Sequence, residues 1–195
     1  VKCTIHAGED VFDVNISMPG GHMVLNALAA AAVGKTFGLN KDEIKKGIES
    51  FLPTGMRMEI SKIPFGLTLI NDAYNANPVS TKAAIDVLAK CQGTTTAVLG
   101  DMFELGEYGP SLHYEVGEYA VQKGIDNIVC IGGISENMFK GASKNKKDGV
   151  YYYKSLDDFF ENGIKNILIK DSTVLIKASH SMQFEKIAKK LQGVK

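Results

Sequence analysis

The sequence predicts an α/β protein built on a doubly wound, mostly parallel sheet, with a shorter stretch of different organisation ahead of it. Three observations predict this. From residue 67 onward, short apolar runs alternate with amphipathic stretches of helical period, the pattern of repeated βαβ units. The apolar runs are near-continuous, as in Ile128-Val129-Cys130-Ile131, which suits strands covered on both faces. Polar clusters follow the runs at 71–77, 100–107 and 177–182, where open α/β sheets place their ligands.

Residues 9–18 carry Val11, Phe12, Val14 and Ile16 and predict a strand, broken by Pro19-Gly20-Gly21. An alanine-rich helix follows from His22 to Phe37 and stops at Gly38. A second helix starts at Asn40 or Lys41, aligns Ile44, Ile48 and Phe51, and ends at Pro53-Thr54-Gly55. This part supplies one strand and two helices, and a lone strand leaves its backbone groups without partners. It therefore reads as the tail of a larger domain. Residues 56–60 predict a short strand or extended linker. Strands are then expected at 67–71, 95–99, 127–132, 150–153 and 173–177, and helices at 78–91, 111–123, 134–142, 155–168 and 181–191. Right-handed crossovers between them make a Rossmann-like domain. The division expected is 1–57 and 58–195.

Composition narrows the function. Lys plus Arg and Asp plus Glu both number 22, so the net charge is zero, and nothing electrostatic favours nucleic acid or an anionic membrane. No apolar run approaches the roughly 20 residues that span a bilayer, and no signal peptide is visible. Cys3, Cys91 and Cys130 lie far apart without metal-ligand or redox spacing, as expected of free thiols in the cytoplasm. No metal site and a monomeric state are expected.

Gly34-Lys35-Thr36 imitates a phosphate loop, but the motif needs a glycine at position 29, where alanine stands, and the tripeptide follows a helix instead of a strand. Gly34 reads instead as a small packing residue. Pro19 to Asn26 frees a helix N-terminus, and His22 and Asn26 share one face of that helix. Thr54 to Glu59 contains Arg57, the chain's only arginine, whose fork matches phosphate oxygens. Asn71 to Ser80 gathers Asp72, Tyr74, Asn75 and Asn77 after a strand; Leu99 to Glu107 offers Asp101 and Glu104; Ile176 to Met182 offers Lys177, Ser179 and His180. Adjacent Ser and His do not make a hydrolase triad, and no Gly-x-Ser-x-Gly elbow occurs. Three polar loops on one edge of one sheet carry more weight than any motif alone.

Four blocks occur in order: Gly-His-x-x-x-Asn-Ala-Leu-Ala-Ala at 21–30, Gly-Met-Arg-Met-Glu at 55–59, Asn-Asp-Ala-Tyr-Asn-Ala-Asn-Pro-x-Ser at 71–80 and Leu-Gly-Asp-Met-x-Glu-Leu-Gly at 99–106. Together they resemble the Mur ligases of peptidoglycan synthesis, and within that family the type that adds D-alanyl-D-alanine to UDP-N-acetylmuramoyl-tripeptide. The resemblance covers essentially the whole chain.

It implies an ATP- and Mg²⁺-dependent peptide ligase acting through an acyl phosphate. It makes residues 1–57 the end of a central ATP-binding domain and the rest a C-terminal Rossmann-like domain. By position it implies that His22, Asn26, Arg57 and Asp72 serve the nucleotide, with Arg57 on its phosphates and Asp72 on its ribose. Tyr74, Asn75, Asn77, Asp101, Glu104, Lys177 and Ser179 then face the incoming dipeptide. The chain departs from the family at Met23, where asparagine is usual, and at Ala178 and His180, where glycine and arginine are usual. The family's phosphate loop is not among these residues. The chain is therefore expected to be the C-terminal part of a larger enzyme, inactive alone. Another Mur-like or folylpolyglutamate-type ligase, or a non-catalytic Rossmann-like binding module, are the alternatives.

Overall fold

The computed structural model describes residues 1–53 and 55–193, except for the side chain of Phe65. The chain divides into two compact units, Val1–Thr54 and Gly55–Lys195.

The first unit opens with strands β1 (Lys2–Ala7) and β2 (Asp10–Asn15), followed by helices α1 (His22–Thr36) and α2 (Lys41–Ser50). The single strand expected here is in fact the second arm of a hairpin, with Lys2 opposite Asn15 and Ala7 opposite Asp10. Residues 2–7 alternate polar and apolar as Lys-Cys-Thr-Ile-His-Ala, a weak period-2 signal, and Gly8 turns the chain with φ of 68°. Asn40 caps α2 through a capping box with Glu43. Gly34 packs as expected: a Cβ there would sit 2.9 Å from Ile44 Cγ1, so its absence lets α1 and α2 approach. Ile5, Val14, Met23, Ala27, Ala31, Ile44 and Ile48 form the buried side of this unit. The opposite face of α1 leaves Leu25 and Leu28 exposed, and Phe37 is 82% exposed.

The second unit is a six-stranded sheet in the order β3-β4-β8-β5-β6-β7, with β3 at Glu59–Lys62, β4 at Thr68–Asn71, β5 at Thr95–Gly100, β6 at Asn127–Ile131, β7 at Val150–Tyr153 and β8 at Thr173–Lys177. Only β3 runs antiparallel to its neighbour. Helices α3 (Pro78–Leu88), α4 (Gly109–Gln122), α5 (Glu136–Ser143), α6 (Leu156–Asn162) and α7 (Glu185–Leu191) connect or flank the strands. The stretch expected as one helix over 155–168 divides into α6 and a 3₁₀ turn at Ile164–Ile167, because Gly163 follows α6 directly and contributes no side chain to hold it. The core beneath α6 and α7 joins Val98, Val129, Val174, Ile176, Phe159 and Phe184. α4 and α5 meet closely because each carries a glycine at the crossing: a Cβ on Gly117 would lie 2.0 Å from Met138 O, and one on Gly141 would lie 2.1 Å from Tyr114 O.

The topology positions the site. The chain passes from β4 over to β5, continues outward through β6 and β7, and returns to insert β8 between β4 and β5. The carboxyl ends of β4, β8 and β5 are thus adjacent although their loops are far apart in sequence. Strand order reverses at this place, where such sheets leave a crevice. No described helix is long and apolar enough to cross a membrane.

Candidate functional site

The loop after β4 is fastened to β8 by charge. Lys177, at the last position of β8, has a side chain only 3% exposed. Its Nζ donates to Asp72 Oδ2 at 2.5 Å and to the Asn75 carbonyl at 2.9 Å. The other carboxylate oxygen of Asp72, Oδ1, accepts the Met58 N–H at 3.0 Å. Tyr74 N–H donates to Met56 O at 3.1 Å. These bonds hold the turn that enters β3, in which Met56 and Met58 both adopt left-handed backbone, with φ of 62° and 47°. Arg57 lies between them, exposed, with its guanidinium carbon 4.0 Å from the centroid of the Tyr74 ring. That separation suits a cation–π contact. The tyrosine ring also neighbours His180, with ring centroids 5.6 Å apart. Among the described residues, no carboxylate pairs with Arg57.

The loop after β5 is fastened by uncharged donors. Asp101 is 5% exposed, and its Oδ1 accepts both the N–H and the hydroxyl of Ser135, each at 2.7 Å. This ties the end of β5 to the loop after β6. Gly132 makes it possible, because a Cβ there would stand 2.5 Å from the Asp101 carboxylate. Ser179 joins the same cluster: its N–H donates to Asp101 O at 3.0 Å, and its hydroxyl accepts from Phe103 N–H at 2.9 Å. His113, fully buried on α4, accepts Met102 N–H at Nε2 (2.9 Å) and donates from Nδ1 to Gly109 O (2.7 Å). Those partners select the neutral Nδ1–H tautomer. Burial holds its pKa below the ordinary imidazole value, against the opposing pull of the Gly109 carbonyl and Asp101. Burial likewise pushes the Cys130 thiol up, leaving it inert.

The candidates from sequence separate accordingly. Asp72, Asn75 and Lys177 meet directly, Arg57 meets Tyr74, and Asp101 meets Ser179. Asn77 is spent on capping α3: its Oδ1 accepts Ser80 N–H at 2.8 Å, and Ser80 Oγ accepts the Asn77 N–H. Asn75 Oδ1 accepts the neighbouring Ala76 N–H. Glu104 is exposed at a left-handed position, φ 63°, with none of these partners. His22 and Asn26 lie at the start of α1 in the first unit, where Asn26 Nδ2 donates to Met23 Sδ at 3.6 Å. Ser135 and Gly132 were missed from sequence; the Gly-Gly-Ile-Ser that follows β6 was their one signal. Among the described residues, no group of three or more His, Cys, Asp or Glu is placed to hold a metal ion.

Polar loops tied together at a strand-order reversal define a Rossmann-like α/β domain, a class that takes its ligands at such a crevice. Residues 56–180 match the Mur ligase, glutamate ligase domain, and the chain belongs to the Mur ligase family. It is 38% identical over 191 residues to the UDP-N-acetylmuramoyl-tripeptide–D-alanyl-D-alanine ligase of Bacillus subtilis, covering 96% of this chain and 41% of that protein. The Escherichia coli ligase of the same name is 32% identical over 182 residues, 92% of this chain and 39% of that one. A crystal structure of MurF from Acinetobacter baumannii superposes with a TM-score of 0.85 at 27% identity, over 98% of this chain and 42% of that one. The chain thus spans about two fifths of the length of the relatives it matches.

Proposed function

We propose that this chain serves an ATP-dependent ligase that joins D-alanyl-D-alanine to UDP-N-acetylmuramoyl-tripeptide, in the cytoplasm, during peptidoglycan precursor synthesis. The likeness to ligases of that name over nearly the whole chain supports the substrate pair. The observation that carries the chemistry is Arg57: an exposed guanidinium with no acidic partner among the described residues, steadied on Tyr74. A carboxylate is a poor electrophile until a phosphoryl group gives it a leaving group, and phosphoryl transfer depends on positioning and charge neutralisation. A guanidinium fork supplies both toward phosphate oxygens. The amine of the dipeptide then attacks the acyl phosphate, and phosphate departs.

In this reading Arg57 contacts the nucleotide phosphates. Asp72 keeps acceptor capacity beyond Met58 N–H and Lys177, since a carboxylate offers about four lone-pair sites, and it takes a ribose hydroxyl. His22 and Asn26 take the base. Tyr74, Asn75 and Glu104 offer exposed groups to the dipeptide, whereas Asp101, Ser179 and Asn77 shape the loops that present them. Any Mg²⁺ would be carried chiefly by the nucleotide phosphates with one or two carboxylates, since among the described residues no group of three or more His, Cys, Asp or Glu forms a cage for it. The phosphate-loop motif is absent from the 195 residues, and the exposed apolar face of α1 calls for a covering layer. The unit Val1–Thr54 is accordingly proposed to complete an ATP-binding domain, with Gly55–Lys195, which carries Arg57, receiving the dipeptide.

The test is phosphate release with ATP, UDP-N-acetylmuramoyl-tripeptide and D-alanyl-D-alanine. It is run on the 195-residue chain and on a polypeptide that adds a phosphate-loop domain before it. Release by the longer polypeptide that requires the dipeptide, and none by the chain alone, is expected. Release indifferent to D-alanyl-D-alanine overturns the substrate assignment.

A further inference from the structure

We infer that Lys177 is a positioning residue for Arg57, acting through the Asp72 carboxylate instead of through a contact of its own with substrate. The meaning of this for catalysis rests on the ligase reading above; the mechanical link does not. Lys177 Nζ is enclosed and spends two of its three donors inside the protein, on Asp72 Oδ2 and Asn75 O. It is therefore poorly placed to greet a ligand. What it does do is neutralise Asp72, whose other oxygen holds Met58 N–H. Met58 is one of the two left-handed residues that flank Arg57. A non-glycine residue in that conformation costs about 1–3 kcal/mol and persists only where its surroundings over-determine it. Two such residues on either side of one arginine need an external anchor, and Asp72 Oδ1 is that anchor on the Met58 side. Tyr74, held by the same loop, anchors the Met56 side through its N–H and steadies the guanidinium with its ring.

The route is thus β8 to the loop after β4, and from there to the turn before β3. It links residues 57 and 72 to residue 177, more than a hundred positions further along the sequence. A buried ion pair is weak evidence for stability, because desolvation offsets the attraction. The pair is better understood as setting the geometry of the turn.

Arg57 is the only arginine, so its Nε–Hε group gives one assignable NMR cross-peak and an arginine-specific protease has one cleavage site. In the unaltered chain the cross-peak is expected upfield, shielded by the Tyr74 ring, and Tyr74→Leu supplies the reference position of an unstacked arginine. In Lys177→Met the peak is expected to move to that reference, with cleavage after Arg57 roughly tenfold faster, as local opening of the turn requires. Lys177→Met is costly to the fold because it strands the Asp72 charge, so the decisive variant is the double Lys177→Met/Asp72→Leu, which removes both charges together. It should melt near the unaltered chain yet keep Arg57 released, because Met58 N–H has lost its acceptor. An Arg57 peak that stays shielded in the double variant, with cleavage unchanged, overturns the inference and leaves the ligase reading standing. Failure of dipeptide-dependent phosphate release would do the reverse.

Discussion

After β4 the chain is tied down by an ion pair, Lys177 with Asp72, and the groups left facing outward are Tyr74 of this loop and Arg57 of the turn before β3 that the loop holds. After β5 it is tied down by one buried carboxylate that accepts from Ser135, and by a neutral imidazole bridging Met102 and Gly109. The two loops sit side by side across β8, yet they use opposite means. The first pays the desolvation of two charges and presents a cation. The second contains no cation, buries its donors and presents the acidic segment around Glu104. The difference teaches where charge is meant to act: the loop that is proposed to meet phosphate keeps its internal charges balanced, so that the guanidinium is the net charge on offer.

The comparison breaks most visibly at Lys177. Lys177→Met leaves Asp72 enclosed without its counter-charge, and removing one partner of a buried pair costs about 3–5 kcal/mol. Chemical denaturation should show that loss, and the double variant with Asp72→Leu should recover most of it. Asp101→Ala on the other loop leaves the buried N–H and hydroxyl of Ser135 without an acceptor, for a loss of about 3 kcal/mol. Because no counter-cation is stranded, no second substitution at Lys177 should rescue it. Equal rescue of both loops would erase the distinction between them.

A change of pH sharpens it further. Burial lowers the His113 pKa below its ordinary 6.5, so the unfolded chain binds that proton more readily than the folded one. The contribution of neutral His113 is therefore complete above the unfolded value and is lost as pH falls from there through the lower folded value. Melting temperature should decline as pH falls below about 6.5, and His113→Gln should flatten that decline. An unchanged slope in the variant would place the titration elsewhere.

Much of this was legible in the sequence, because strands covered on both faces leave short, β-branched apolar runs bounded by turn residues. The runs at 68–71, 95–100, 127–131, 150–153 and 173–177 stand where they were expected. The hairpin arm Lys2–Ala7 did not announce itself, since its only buried residue is Ile5 and its partner lies across a two-residue turn. The site was legible as a set of loops but not as a set of roles. Asn77 looks like a ligand in sequence and is a helix cap in space. Lys177 and Asp101 look equally available and are both enclosed. Pairings such as Asp101 with Ser135 depend on strand order, which alternation alone does not specify.

The smallest expected effect on folding accompanies the largest on chemistry. Arg57 is exposed and touches little core, so Arg57→Ala should change stability by no more than about 0.5 kcal/mol.

The account is tested most directly by the ATP dependence of dipeptide ligation in a polypeptide that joins this chain to a phosphate-loop domain, comparing Arg57, Arg57→Ala and Arg57→Lys. The account predicts a fall in kcat/KM for ATP of roughly a hundredfold or more in the alanine variant, as loss of a charge-assisted phosphate contact implies, with partial recovery in the lysine variant, which restores charge without the fork. Equal kcat and equal KM for ATP in all three would contradict it.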